Sequence, residues 1–199
     1  MKQFTPITFK VPKLKGISEK TIEEHLKLYQ GYVKNANAVF EKMDVYAKDL
    51  ESNTYALNEL LRRFSFEYNG IRNHEVYFGS LESGPKPLSE KSPLKKLISE
   101  TWRDFDVWLA GFKNFAATVR GIGWATLWYD PRADTLHTTW IDEQHLGLLN
   151  GCTMILGLDM WEHSYVADYF SSGKKQYIED FFANLNWEVI EENLKKAKK

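Results

Sequence analysis

A chain of 199 residues that is 43% hydrophobic and 15% aromatic has ample material for a buried core, which excludes a disordered chain. Charged residues make up 27% but nearly cancel, to a net charge of −1, so neither a basic face for nucleic acid nor an acidic tail stands out. The single cysteine, Cys152, lies among apolar neighbours and excludes an internal disulfide framework and a cysteine-based zinc site. Met1-Lys2-Gln3-Phe4-Thr5-Pro6 forms no apolar leader and no run of about 18 apolar residues occurs, so the expected setting is cytoplasmic, with no membrane and no nucleic-acid partner.

Pro6, Pro12 and Gly16 make the first 16 residues an extended arm. Ser18 reads as an N-cap for a long helix reaching about Leu50, with Ile22, Leu26, Tyr29, Val33, Ala36 and Phe40 at helical spacing and Gly31 as its one point of bending. A turn around Ser52-Asn53 leads into a second helix, Thr54 to Phe78, with a kink expected at Asn69-Gly70. Two such helices on a short turn pack antiparallel, as a helical hairpin. Ser83-Gly84-Pro85-Lys86-Pro87 is the strongest break in the chain and divides an N-terminal domain, 1–83, from a C-terminal domain, 84–199.

Beyond the break, Ser92-Pro93 opens a short helix, and Asp104 to about Val119 reads as another. Three strand-like runs follow: Trp124 to Tyr129, Leu136 to Ile141 and Cys152 to Leu158. Asp130 to Asp134 joins the first two as a hairpin, and together the runs predict a three-stranded antiparallel sheet. Residues from about 162 to 196 return to helix, punctuated at Asn186-Trp187, and the lysines at 195, 196, 198 and 199 suit a helix C-terminus. The fold class is α+β: a helical hairpin followed by a sheet flanked by helices.

Chemistry concentrates in Leu156 to Tyr165. Asp159 and His163 lie four residues apart after an apolar run, a spacing that lets both reach one metal ion. Two ligands rarely hold a catalytic metal, and an acid four residues before a histidine is commonly a surface pair, so partners are needed from elsewhere. The antiparallel hairpin can bring His25 and His74 to one level. His137 and His145 fall in the sheet hairpin and the loop after it.

These segments together resemble the iron/manganese superoxide dismutase family over nearly the whole chain. Asp159-Met160-Trp161-Glu162-His163-Ser164-Tyr165 looks like the family's D-x-W-E-H-A-Y signature, and Asn73-His74-Glu75-Val76-Tyr77-Phe78 is similar to its N-H-x-x-Y/F-W segment. Tyr32-Val33-Lys34-Asn35-Ala36-Asn37, Gly121-Ile122-Gly123-Trp124 and Asn186-Trp187 match further family runs in the same order.

The resemblance implies a mononuclear metal held by His25, His74, Asp159 and His163, cycling between oxidation states to convert superoxide to oxygen and hydrogen peroxide. The family usually has eight positions from the first ligand to the tyrosine of the Y-V run, whereas His25 to Tyr32 is seven; an ungapped alignment puts Glu24 at the ligand position. His25 is taken as the ligand because it is the only imidazole on that helix. Tyr32 and Gln144 are implied as catalytic, linking bulk solvent to a metal-bound solvent molecule. Gln144, Gly157 and Gly70 follow the manganese pattern, so one Mn ion per subunit is expected, with Fe as the alternative. Trp124, Trp161 and Phe78 are implied as pocket walls. Glu162 and Tyr165 are implied to meet a second subunit of a homodimer, or of a tetramer, with Tyr29 standing where the family places the histidine that Tyr165 meets. Lys174 falls near a family arginine at the channel mouth. Two other classes stand beside this: a non-haem iron oxygenase using two histidines and a carboxylate, and a metal-free interaction module on the same fold.

Overall fold

The structure is a computed structural model describing residues 2–199; Met1, where the arm begins, lies outside the described residues. Helix α1 (Glu19–Tyr46) starts where expected: Ser18 is extended and its Oγ accepts from the Thr21 N–H at 3.1 Å, with Glu19 in the first turn. Its buried stripe, Ile22, His25, Tyr29, Val33, Ala36 and Val39, advances by three or four residues and faces helix α2 (Leu50–Gly79).

The turn between them lies at Ala47-Lys48-Asp49, earlier than the expected Ser52-Asn53. The reason is Asp49, whose carboxylate caps α2 by accepting from the Ser52 N–H at 3.2 Å, which draws Ser52 and Asn53 into the first turn. Nor does Asn69-Gly70 interrupt α2. Asn69 Nδ2 donates to the Ser65 carbonyl one turn back at 2.7 Å, and the missing side chain at Gly70 leaves room for a neighbouring ring.

Ser83 and Gly84 both take left-handed backbone, at φ 63° and 79°, and turn the chain away from the hairpin. Helix α3 (Pro93–Trp102) follows, with Pro at its start and Ser92 as cap, then α4 (Phe105–Thr118), capped by Asp104. Strand β1 (Trp124–Asp130) is the middle of a three-stranded sheet, antiparallel both to β2 (Thr135–Ile141) and to β3 (Thr153–Asp159), in the order β2-β1-β3. The register pairs Trp124 with Asp159 at the end that carries the chemistry.

After Asp159 come a single turn of 3-10 helix (Glu162–Ser164), the short helix α5 (Val166–Tyr169), α6 (Lys174–Asn184) and α7 (Trp187–Ala197), which Asn186 caps. Strand β3 lies against α2, and the Glu162–Ser164 turn lies against α1. The end of the sheet therefore meets the helical hairpin. The N-terminal arm is tied down at both ends by side-chain amides: Asn37 bonds the N–H and C=O of Phe4 (2.8 and 3.0 Å), and Asn184 those of Lys15 (both 2.9 Å). Among the described residues no helix is long and apolar enough to cross a membrane.

Candidate metal centre

Four side chains from three segments converge where β3 meets the hairpin: His25 from α1, His74 from α2, and Asp159 with His163 from the end of β3 and the turn beyond it. Their potential ligand atoms all lie within 4.8 Å of one another, the one such group of His, Cys, Asp or Glu among the described residues. Asp159 Oδ2 is 3.0 Å from His25 Nε2, 3.1 Å from His163 Nε2 and 3.8 Å from His74 Nε2. His25, His74 and Asp159 are fully buried, and His163 is half-buried.

Each donor is held by its own local structure. His74 Nδ1 donates to the Gly70 carbonyl one turn back at 2.6 Å, which leaves the Nε2 lone pair aimed into the cluster without a hydrogen-bond partner. Asp159 Oδ1 accepts the Trp161 N–H at 2.8 Å and turns Oδ2 towards the imidazoles. The Asp159 carbonyl is fixed in turn by Ser164 Oγ at 3.0 Å and Tyr177 OH at 2.9 Å. Glu24 lies on the solvent side of α1, paired with Lys27 at 2.7 Å, so His25 and not Glu24 joins the group.

The electrostatics suit a cation. Burial pushes the His25 imidazole below its ordinary range, against the pull of Asp159, and burial together with His25 pushes His74 down to about 3. Both rings are therefore neutral near pH 7, with a lone pair to offer. Burial would raise the Asp159 carboxyl, but its contacts with His163 and His25 outweigh that and hold it below the ordinary carboxylate range. Three imidazoles and one carboxylate aimed at a common point are a nitrogen and oxygen donor set without sulfur, suited to Fe or Mn. The orphaned, buried Nε2 of His74 fits a ligand role, and the separate His25 ligand sets the group apart from a two-histidine facial triad.

Around the ligands lies a polar chain. Gln144, fully buried in the loop after β2, donates from Nε2 to the Tyr32 hydroxyl at 3.0 Å and accepts at Oε1 from the Trp124 indole at 3.0 Å. Asn73 Nδ2 holds the Gln144 backbone carbonyl at 3.0 Å, a support that its place beside His74 signals only weakly. The ring of Tyr32 lies between His74 (centroids 5.1 Å) and Phe66 (5.9 Å), over Gly70. Burial, with the charges of Asp159 and Glu67, raises the Tyr32 phenol above its ordinary range, so it stays protonated at neutral pH.

Trp124 meets His74 edge-on at 5.0 Å, Trp161 stacks on His163 at 5.8 Å, and Phe78 meets His25 at 4.9 Å. Gly157 has ordinary packing room, the nearest atom to an added Cβ being Met154 Sδ at 3.4 Å. Glu162 is exposed, whereas Tyr165 is buried against Tyr177 at 5.4 Å. Tyr29 differs from the expectation of an interface residue. It is 1% exposed, with its hydroxyl taking the Ile7 N–H at 2.8 Å and donating to Glu75 at 3.3 Å, because the arm covers this face of α1. Lys174 bonds the Val119 carbonyl and so is not a free cation.

Residues 4–82 match the family described as iron/manganese superoxide dismutases, alpha-hairpin domain, and residues 90–193 match its C-terminal domain. Among curated relatives, an iron superoxide dismutase of Aquifex aeolicus is 34% identical over 195 residues, 96% of this chain and 90% of that protein. A manganese superoxide dismutase of Chlamydia muridarum is 33% identical over 175 residues, 84% and 82% of the two chains. A relative in Aeropyrum pernix named for both metals is 29% identical over 177 residues, 87% and 80%. With a His-His-Asp-His site buried where hairpin and sheet meet, the chain belongs to the iron/manganese superoxide dismutase family and is a superoxide dismutase of the iron or manganese type.

Proposed function

We propose that His25, His74, Asp159 and His163 hold one manganese ion per subunit, with iron as the accepted alternative, and that protons reach the site through the Tyr32 hydroxyl, which Gln144 holds in place. The observation that carries this reading is the buried four-donor cluster capped by an amide whose oxygen is already taken by Trp124. Bound there, the metal supplies one-electron exchange, oxidising one superoxide to oxygen and reducing the next to hydrogen peroxide.

The chain's own residues do the rest. Reduction of superoxide to hydrogen peroxide consumes protons, and the neutral Tyr32 hydroxyl, half-buried beside the ligands, stands between solvent and Gln144. Gln144 spends its oxygen on the indole, so Nε2 is left to donate, both to Tyr32 and to solvent at the centre. Trp124, Trp161 and Phe78 exclude bulk water around the donors, which strengthens every polar contact among them.

Support for manganese is the origin of that amide. Gln144 stands at the position that the family resemblance associates with manganese, and the iron-type alternative would come from position 70. A Cβ at Gly70 would fall 2.4 Å from Tyr32 Cδ1, so a rival amide has no room there. Six of eight curated relatives are named for iron, one for manganese and one for both, so this amide is the feature that favours manganese against the commoner iron. The exposed Glu162, beside a site ligand, supports a homodimer in which it contacts the second subunit.

The test is to strip the protein of metal, reconstitute it separately with Mn and with Fe, and measure superoxide removal per bound ion. Activity with Mn above that with Fe is expected. Equal rates would remove Gln144 as the determinant, and no activity with either would overturn the assignment of the site.

A further inference from the structure

One charged group near the centre has no role so far. Glu67 lies on α2 with its side chain 3% exposed; Arg63 Nε, one turn back, donates to Oε1 at 2.7 Å, while Oε2 is buried without a hydrogen-bond partner. A buried carboxylate oxygen left bare is costly, and natural structures rarely keep one without a purpose. Its position is specific. Glu67 is three residues before Gly70, hence on the same face of α2, and Gly70 is the residue over which the Tyr32 ring lies. The ring thus has His74 on its metal side and the Phe66-Glu67 turn on the other.

The hydrogen bonds of Tyr32 leave a matching gap. Its oxygen accepts from Gln144 Nε2, so its own proton must be donated elsewhere, and an acceptor is needed on the side away from Gln144. Glu67, one turn before the glycine that the ring lies over, offers a buried oxygen with no partner of its own, and its charge is one of those that act on the Tyr32 phenol. Arg63 is the means of holding it: the guanidinium is partly exposed, packs 4.0 Å above the Phe66 ring and fixes Oε1, leaving Oε2 free.

We propose that Glu67, braced by Arg63, is a positioning residue for proton delivery: its Oε2 accepts, through a bridging water, the hydroxyl proton of Tyr32 and connects the Tyr32-Gln144 chain to solvent. In delivery the Tyr32 hydroxyl turns inward and gives up its proton while its oxygen takes one from that water, and the water is replenished from solvent beside the exposed guanidinium, so no net charge accumulates on the phenol or the carboxylate. This rests on the reading of Tyr32 and Gln144 as the proton path.

The experiment is a crystal structure read for a water within hydrogen-bond distance of both Glu67 Oε2 and the Tyr32 hydroxyl, whose absence overturns the proposal, joined to a double-mutant cycle on metal-loaded protein with Glu67→Gln, Tyr32→Phe and both, reading kcat, kcat/KM and the solvent deuterium isotope effect at matched metal content. Glu67→Gln keeps the shape and removes the anionic acceptor. It is expected to lower kcat about tenfold while leaving kcat/KM within about twofold, to raise the isotope effect on kcat, and to add nothing in the Tyr32→Phe background. An unchanged kcat in Glu67→Gln, or full additivity with Tyr32→Phe, overturns the proposal. If Tyr32→Phe alone leaves kcat unchanged, the proton path itself fails, which is a distinct outcome. Should Glu67→Gln not fold, Arg63→Met leaves the carboxylate present but unbraced; a fall in kcat of about threefold is then expected, and no change overturns the proposal.

Discussion

The indole Nε1 of Trp124 donates to Gln144 Oε1 at 3.0 Å, and because an indole can only donate, this contact decides which end of the amide faces Tyr32. One side chain of β1 thereby sets the polarity of the hydrogen-bond chain beside the metal ligands. Trp124→Phe keeps a ring against His74 but frees the amide to rotate and leaves its buried oxygen short of a donor. The expected result is a stability loss of about 1–3 kcal/mol in urea unfolding and a lower kcat at unchanged metal content.

Gly70, buried under the Tyr32 ring, tests the same geometry. In most helix interiors Gly→Ala stabilises by up to about 1 kcal/mol, but here the new methyl would lie 2.4 Å from Tyr32 Cδ1. Gly70→Ala is therefore expected to destabilise, by about 1–3 kcal/mol, and to lower activity by displacing the tyrosine. Thermal unfolding and a superoxide assay check both parts; a more stable, fully active variant would contradict the packing described.

Metal content separates the two candidates on α1. His25→Ala removes a buried donor and is expected to leave the purified protein with little bound Mn or Fe. Glu24→Ala removes a solvent-side partner of Lys27 and is expected to retain the metal in full. Elemental analysis of both variants, grown with both metals supplied, is sufficient.

The metal-free protein has a defined acid response. His74, buried beside His25, has a folded value of about 3 against an ordinary 6.5, so the unfolded chain binds the proton more readily. Stability from this group is complete above about pH 6.5 and is lost as pH falls towards 3, with the sign set by the extra proton taken up on unfolding. Chemical denaturation of the apo-protein across this window should show stability falling with acid. Metal release from the loaded protein should follow the same direction, since protonation competes for the same nitrogen lone pair.

Glu162 tests the assembly. Exposed beside His163, it contributes to the homodimer proposed above, so Glu162→Ala is expected to shift sedimentation from dimer towards monomer. Activity per ion should fall together with the dimer population.

Much of this arrangement was legible in the chain because local spacing carried it. Seven residues at about 100° each return to within about 20° of the starting face, so His25 and Tyr32 share one side of the unbroken α1 despite being one position closer than in the family pattern. Ser18 announced its helix as a cap, and the boundaries expected at Asp104 and at Asn186-Trp187 fall on residues that cap α4 and α7. What stayed hidden depended on contacts across the fold. Asp49 outcompeted Ser52-Asn53 for the turn; Gly70 read as a kink when its purpose is to admit a ring from α1; the cover over Tyr29 was hidden because nothing local shows the arm folding over it. Glu67 gave no signal at all, since an acid near an arginine at helical spacing is usually a solvated pair.

The closest bond in the cluster between its two halves, His25 to Asp159, joins residues 134 positions apart. On a ribosome the hairpin emerges with two imidazoles and no carboxylate to complete the set, and the last donors arrive only with residues 159–163. A nascent chain therefore has no high-affinity site until most of it has been made. Metal loading thus has to accompany or follow the closing of the C-terminal segment onto the hairpin.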